Sequence, residues 1–210
     1  MEYIKENRFF LFLVFLLGNI AYPLFTKDPH SQELISTFIY TFILLSGLYA
    51  FSGENRFFKI TVTIFLITIA LEWLQFFTEI DILDTIQPLT TSIVLVLLLV
   101  MTLRDVRMAK LVDQNVIFGV VAGYVLIGLV GGLLAVAVGR SYPDAFNLPE
   151  VISGPQAVYF SFITMTTLGY GDIVPLIEES RSLSILLSIV GPMYVAIIVA
   201  LMVGKFASRA

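Results

Sequence analysis

The sequence predicts an all-α membrane protein: six transmembrane helices and one short helix that enters the membrane without crossing it. Three observations predict this. Hydrophobic residues make up 58% of the 210, and mean hydropathy is +0.94, beyond what soluble domains show. The apolar residues gather into runs close to the ~20 needed to cross ~30 Å of hydrocarbon. Between the last two runs stands a shorter apolar segment, followed by glycines at alternate positions, Gly169 and Gly171.

Taken in order, residues 1–8 are short and mixed in charge (Glu2, Lys5, Glu6, Arg8), and an apolar run follows over 9–25. A charged start before an apolar core is also the pattern of a secretory leader. The run is long, however, and no small-x-small cleavage site follows, so it is read as the first span. Further spans are predicted at about 34–51, 57–77, 82–103, 114–138 and 183–204. Six crossings put both termini on one side. Lys5, Arg8, Arg56, Lys59, Arg104, Arg107, Lys110, Lys205 and Arg209 fall on that side, and only Lys27, Arg140 and Arg181 on the other. Positive charge marks the cytoplasmic face, so both termini are expected in the cytoplasm. Most acids then fall outside: Asp28, Glu33, Glu79, Asp81, Asp84, Asp144, Glu150, Asp172, Glu178 and Glu179.

A helix that responds to membrane potential needs several basic residues in the field, each worth ~2.3 kcal/mol per 100 mV. The fourth run holds none. Arg104, Arg107 and Lys110 keep a spacing of three but follow the apolar stretch. They predict an amphipathic linker over 104–112 on the inner surface. Glu72, beside Trp73 and Gln75 near the outer end of the third span, is expected to anchor that span at the interface. The fifth span carries Gly119/Gly123 and Gly128/Gly132, a spacing that lets helices approach closely; it is expected to clasp the sixth. Asp113 is its candidate N-cap. After a polar loop over 141–153, Pro155 suits the first turn of the short helix, which ends near Met165. About twelve residues span ~18 Å, enough to enter one leaflet. Such backbone is tolerated only when buried in protein or lining water.

The run 161–173 reads SFITMTTLGYGDI. For a strand to turn successive carbonyls to one side, alternate residues must leave the usual φ region, which glycine does cheaply. Gly169 and Gly171 stand where that geometry needs them. Thr167 adds a hydroxyl at one end of the row, and Tyr170 a large ring able to brace it.

Thr164, Met165, Thr166, Thr167, Leu168, Gly169, Tyr170, Gly171 and Asp172 resemble the selectivity filter of potassium channels, with Leu168 where the family usually has valine. The resemblance extends over 113–210 and is to prokaryotic channels with six spans, one pore segment and no sensor arginines. It implies a four-helix, sensor-like domain without gating charges at 1–103, an interfacial linker at 104–112 and a pore domain at 113–210. It also implies a homotetramer in the plasma (inner) membrane, surrounded by lipid. Its permeant ion would be K+, held by Thr167, Leu168, Gly169, Tyr170 and Gly171. Thr166, Asp172, Tyr159 and Phe160 would support that segment, the last two as the aromatic pair behind Tyr170. Ile163 stands where some members have a buried glutamate. Gly191, nineteen residues after Asp172, has the spacing of the hinge glycine, and Pro192 follows it.

Other function classes fare worse. A potassium transporter subunit would carry several degenerate half-filters in one chain, and only one such segment is present. A non-selective cation channel would lack the tyrosine that Tyr170 supplies. A non-conducting accessory subunit would not need the intact motif. An enzyme is not expected: His30 is the one histidine, there is no cysteine, and no catalytic or metal-spaced set can be assembled. No basic face suits nucleic acid. No cytoplasmic nucleotide, calcium or ligand domain is evident after the last run.

Overall fold

The computed structural model describes residues 8–26, 28–50, 56–78, 81–109 and 112–207. Lys5, Lys27, Glu79, Lys110 and Arg209 lie outside them, as do the side chains of His30, Glu33, Arg56, Lys59, Asp81 and Asp84. Seven α-helices carry the described chain: α1 (Arg8–Ala21), α2 (Pro29–Ala50), α3 (Arg56–Thr78), α4 (Asp81–Met108), α5 (Gln114–Ser141), α6 (Gly154–Met165) and α7 (Glu178–Ala207). Short 3₁₀ turns, Tyr22–Leu24 and Pro143–Ala145, follow α1 and α5. Among the described residues there is no strand, only an isolated bridge between Phe146 and Pro175.

Four helices are long and apolar enough to cross a membrane: Thr61–Thr78, Ile86–Met108, Gln114–Ser141 and Glu178–Lys205. The first two predicted spans form shorter apolar helices, Arg8–Leu24 and Leu34–Ala50.

The core joins the four N-terminal helices to α5 of the same chain. Phe9, Phe12 and Leu16 of α1 meet Ile43 and Leu44 of α2, Phe65 of α3 and Val94, Leu95 and Leu98 of α4. Ala122, Leu126 and Leu129 of α5 complete the cluster. All of these are nearly or fully buried, and in lipid such close packing is what holds helices together.

Helix ends follow local chemistry. The Asp113 side chain accepts from the Val116 amide at 2.8 Å and caps α5, as its sequence position predicts. Ser153, through both its amide and its hydroxyl, donates to Gln156 Oε1 at the start of α6, with Pro155 in the first turn. Glu178 and Glu179 occupy the first turn of α7, where the helix dipole favours them.

Three expectations change. First, α4 does not stop at Leu103 but continues through Arg104 and Arg107 to Met108. No helix breaker intervenes, and neighbouring elements engage the added turn. Arg8 Nη2 pairs with Asp105 Oδ2 at 2.8 Å. Lys205 Nζ, from the end of α7, donates to the carbonyls of Val106 (2.7 Å), Arg107 (3.1 Å) and Ala109 (2.7 Å). Second, Glu72 does not face outward as an anchor would: it is 3% exposed. Phe65, Thr68 and Glu72 recur at spacings of three and four, so the stripe that carries α3 into the core carries Glu72 with it. Third, the α5 glycines do not clasp α7 alone. A Cβ at Gly128 would strike the Phe162 ring of α6. One at Gly132 would lie 3.0 Å from Val158 Cα of α6, and one at Gly123 would strike the Tyr194 hydroxyl of α7.

Lys205→Met keeps the apolar stem and removes the donor from three carbonyls at the α4 terminus. Partial exposure limits the cost to about 0.5–1.5 kcal/mol. Amide hydrogen exchange over residues 105–109 should accelerate while that of α6 stays unchanged; unaltered exchange at 105–109 would refute the cap.

Candidate functional site

The run between α6 and α7 is bent in the way its glycines foretell. Gly169 has φ 53° and Gly171 φ 79°, and Thr167 adds a third left-handed position at φ 60°. Residues 167, 169 and 171 thus alternate with ordinary backbone at 168 and 170. A β-branched residue at positive φ is strained. Nothing in the sequence marks Thr167 for that conformation, so the strain was invisible until the backbone was in hand.

The strain is held from the α6 side. The Thr167 amide donates to Thr164 O at 3.0 Å, and the Leu168 and Gly169 amides both donate to Ile163 O at 3.0 and 3.2 Å. The Thr166 hydroxyl turns back to Phe162 O at 2.8 Å. One side of the run is therefore engaged with the last carbonyls of α6. The carbonyls of Thr167, Leu168, Gly169, Tyr170 and Gly171 accept no hydrogen bond among the described residues. Five unengaged carbonyls in a row can offer partial negative charge to a cation and nothing to an anion. Side chains here stay open as well: Leu168 is 56% and Tyr170 68% exposed within the chain.

Beyond Gly171 the run is tied back. The Tyr159 hydroxyl donates to Asp172 Oδ2 at 2.5 Å, in the range of a charge-assisted O–H···O⁻ bond. That bond holds the Asp172 carboxyl below the usual aspartate value and, with desolvation and the Asp172 charge adding to it, pushes the Tyr159 phenol up to about 12. Asn147 clamps the same turn: its Nδ2 donates to the Asp172 carbonyl (3.1 Å), and its Oδ1 accepts from the Val174 amide. Its own amide donates to Val174 O at 3.1 Å. The sequence offered Asn147 only as part of a polar loop. Asp144, Glu150, Asp172, Glu178 and Glu179 are all exposed around this end.

Phe160 lies apart from Tyr159. It is buried against Phe146, ring centroids 5.1 Å apart, in a cluster with Ala145, Ile152, Leu183 and Leu187. It fixes α6 to the loop and α7. Behind the run, a cavity of about 210 Å³ opens between Tyr159, Ile163, Gly169, Asp172 and Ser184.

Gly191 carries a constraint that its spacing did not reveal. α7 is an unbroken helix through Gly191 and Pro192, and a Cβ at Gly191 would collide with the Met165 carbonyl, the last residue of α6. α7 thus presses its backbone against the base of the run. Two hydroxyl bonds hold this stack to α5: Ser161 Oγ to Gly128 O (2.7 Å) and Tyr194 OH to Val120 O (2.7 Å).

Residues 119–208 match a protein family described as Ion channel. The match takes in most of α5, all of α6, the glycine run and α7, and it points to ion channel character for that stretch. No solved structure matches the chain.

Two outcomes are expected from this geometry. Tyr159→Phe removes the bond that lowers Asp172, so the carboxyl should titrate higher, toward ~3.9, as read from its 13C chemical shift against pH. In the parent protein the bond contributes above the ordinary aspartate range and is lost as pH falls through the lowered Asp172 value. An unmoved Asp172 would exclude the bond. Gly191→Ala should lower thermal stability by about 1–3 kcal/mol, the usual cost of forced overpacking. Gly204→Ala, with nothing within 4 Å, serves as the matched control; equal melting of the two variants would refute the contact.

Proposed function

We propose that the chain is one subunit of a potassium-selective channel that conducts passively. The observation that carries this reading is the row of unengaged carbonyls at 167–171, with left-handed backbone at Thr167, Gly169 and Gly171. A dehydrated potassium ion needs about eight oxygens in place of its water, and rings of backbone carbonyls supply them. One chain offers one wall of such a ring. Four copies around an axis would close it, with Thr167, Leu168, Gly169 and Tyr170 framing ion sites in series and Gly171 at the outer entry. The exposed Tyr170 ring then finds its brace on a neighbouring copy. Repulsion between ions in adjacent sites lets binding be selective and exit fast.

In this reading 113–210 is the pore domain, 1–103 a sensor-like domain, and 104–112 joins them. All six apolar helices cross, both termini face the cytoplasm of the plasma (inner) membrane, and the exposed acids near Asp172 raise cation concentration at the outer mouth. Arg104 and Arg107 lie in the last turns of α4, so the field finds little charge there to move. Gating would be weakly voltage-dependent or independent of voltage, with Gly191 and Pro192 as the place where α7 bends.

Purified protein in planar bilayers between potassium and sodium solutions tests this. Reversal near the potassium equilibrium potential and a shallow response to voltage are expected. Tyr170→Asp should move reversal toward zero as the permeability ratio falls about tenfold, ~1.4 kcal/mol of lost discrimination. Reversal near zero in the parent protein would instead make it a non-selective cation pore, and absence of current would refute the channel reading.

A further inference from the structure

The four N-terminal helices enclose a buried acid that has no basic partner among the described residues. Glu72 of α3 is 3% exposed. Its Oε1 accepts twice from α4, from Gln87 Nε2 (3.3 Å) and from the Thr91 hydroxyl (3.2 Å). Its Oε2 is buried and has no hydrogen-bond partner among the described residues. Asn19 of α1 is also 3% exposed. The Tyr40 hydroxyl of α2 stands beside the Asn19 amide and faces the Glu72 carboxyl. Each of the four helices therefore sends a polar side chain to one place in an apolar bundle.

A carboxylate buried without a counter-charge is costly, and an ionisable group inside a membrane helix points to function. The ion pair formed by the described residues, Arg8 with Asp105, joins the start of α1 to the end of α4. Glu72 lies near the end of α3 and its partners near the start of α4, toward the opposite end of the bundle. The titratable groups that face it are the Tyr40 phenol and, behind that, Tyr22; Asn19, Thr68, Gln87 and Thr91 are neutral. Among the described residues no basic side chain enters this set.

The bonding pattern says what is missing. One oxygen takes two donors and the other takes none, and a proton on the second oxygen would remove the uncompensated charge. We propose that Glu72 Oε2 is the seat of an exchangeable proton, making this cluster a proton-binding site of the four-helix domain. The proton comes from hydronium, leaving water, and returns to water when the site empties. The route is short, since six residues from Glu72 to Thr78 rise ~9 Å. The site stands apart from the carbonyl row at 167–171 and does not rest on the channel reading. Protonation removes one negative charge from the contact between α3 and α4, and α4 packs along α5.

The full chain in lipid nanodiscs, labelled with 13C-glutamate, tests this by infrared difference spectroscopy between about pH 5 and about pH 9, a window that brackets ordinary and buried carboxyls. A labelled carboxylic-acid C=O band that is present at low pH and lost at high pH is expected. It should be absent in Glu72→Gln, which keeps the shape and the acceptor for Thr91. It should vanish equally in Glu72→Asp, which keeps the acid and loses the label. No Glu72-dependent band, or one that does not change with pH, would overturn the proposal. A labelled carboxylate band at every pH that shifts when potassium is exchanged for sodium or for N-methylglucamine would also overturn it, and would assign the seat to an alkali ion.

Discussion

In hydrocarbon every backbone N–H and C=O must find a partner inside the protein. The helices meet that demand with their own ladders, and the run 167–171 leaves it half-met. Its amides at 167–169 are engaged by the ends of α6, while its carbonyls are not. Everything around the run can be understood as the means of keeping it so. The α6 terminus holds it from below, Tyr159 and Asn147 tie it beyond Gly171, and Gly191 lets α7 press against Met165. Relax any of these, and Thr167 has a steric reason to return to ordinary φ, which would turn its carbonyl out of the row.

α5 is the element through which the two halves of the chain meet. Its one face receives α1 and α4 through Ala122, Leu126 and Leu129. Its glycines make room for the Phe162 ring of α6 and the Tyr194 hydroxyl of α7, and at Gly132 for the Val158 backbone of α6. The Ser161 and Tyr194 hydroxyls then bond to carbonyls of α5 that close approach has made reachable. Small residues thus do two jobs at once: they shorten the distance between helices, and they expose main-chain acceptors to side chains of the neighbour.

Much of this was legible in the sequence because the signals are local. Asp113 caps α5 and Pro155 opens α6 because capping depends on a few adjacent residues. Gly169 and Gly171 announced a backbone that leaves the ordinary φ region. What stayed hidden depends on partners far along the chain. Thr167 reaches positive φ through bonds to α6 rather than by its own preference. Asn147 earns its role from Asp172 and Val174, on the other side of α6. Glu72 is buried because α3 turns Phe65 and Thr68 inward along the same stripe, whereas its neighbours Trp73 and Gln75 suggested a headgroup position. α4 continues past Leu103 because Arg8 and Lys205, from opposite ends of the chain, meet its last turn.

The Lys205 contact has a mechanical consequence. An ammonium shared among three carbonyls of one helix terminus has little slack, since all three distances are 3.1 Å or less. The end of α7 and the end of α4 are thereby pinned as if by a rivet. An outward swing of the inner helix must either drag the tail of the fourth helix along or pull the rivet, leaving a lysine and three carbonyls to find water. The first path makes the N-terminal bundle a passenger in any motion of the inner helix, and the second makes hydration of this joint a step of the motion itself.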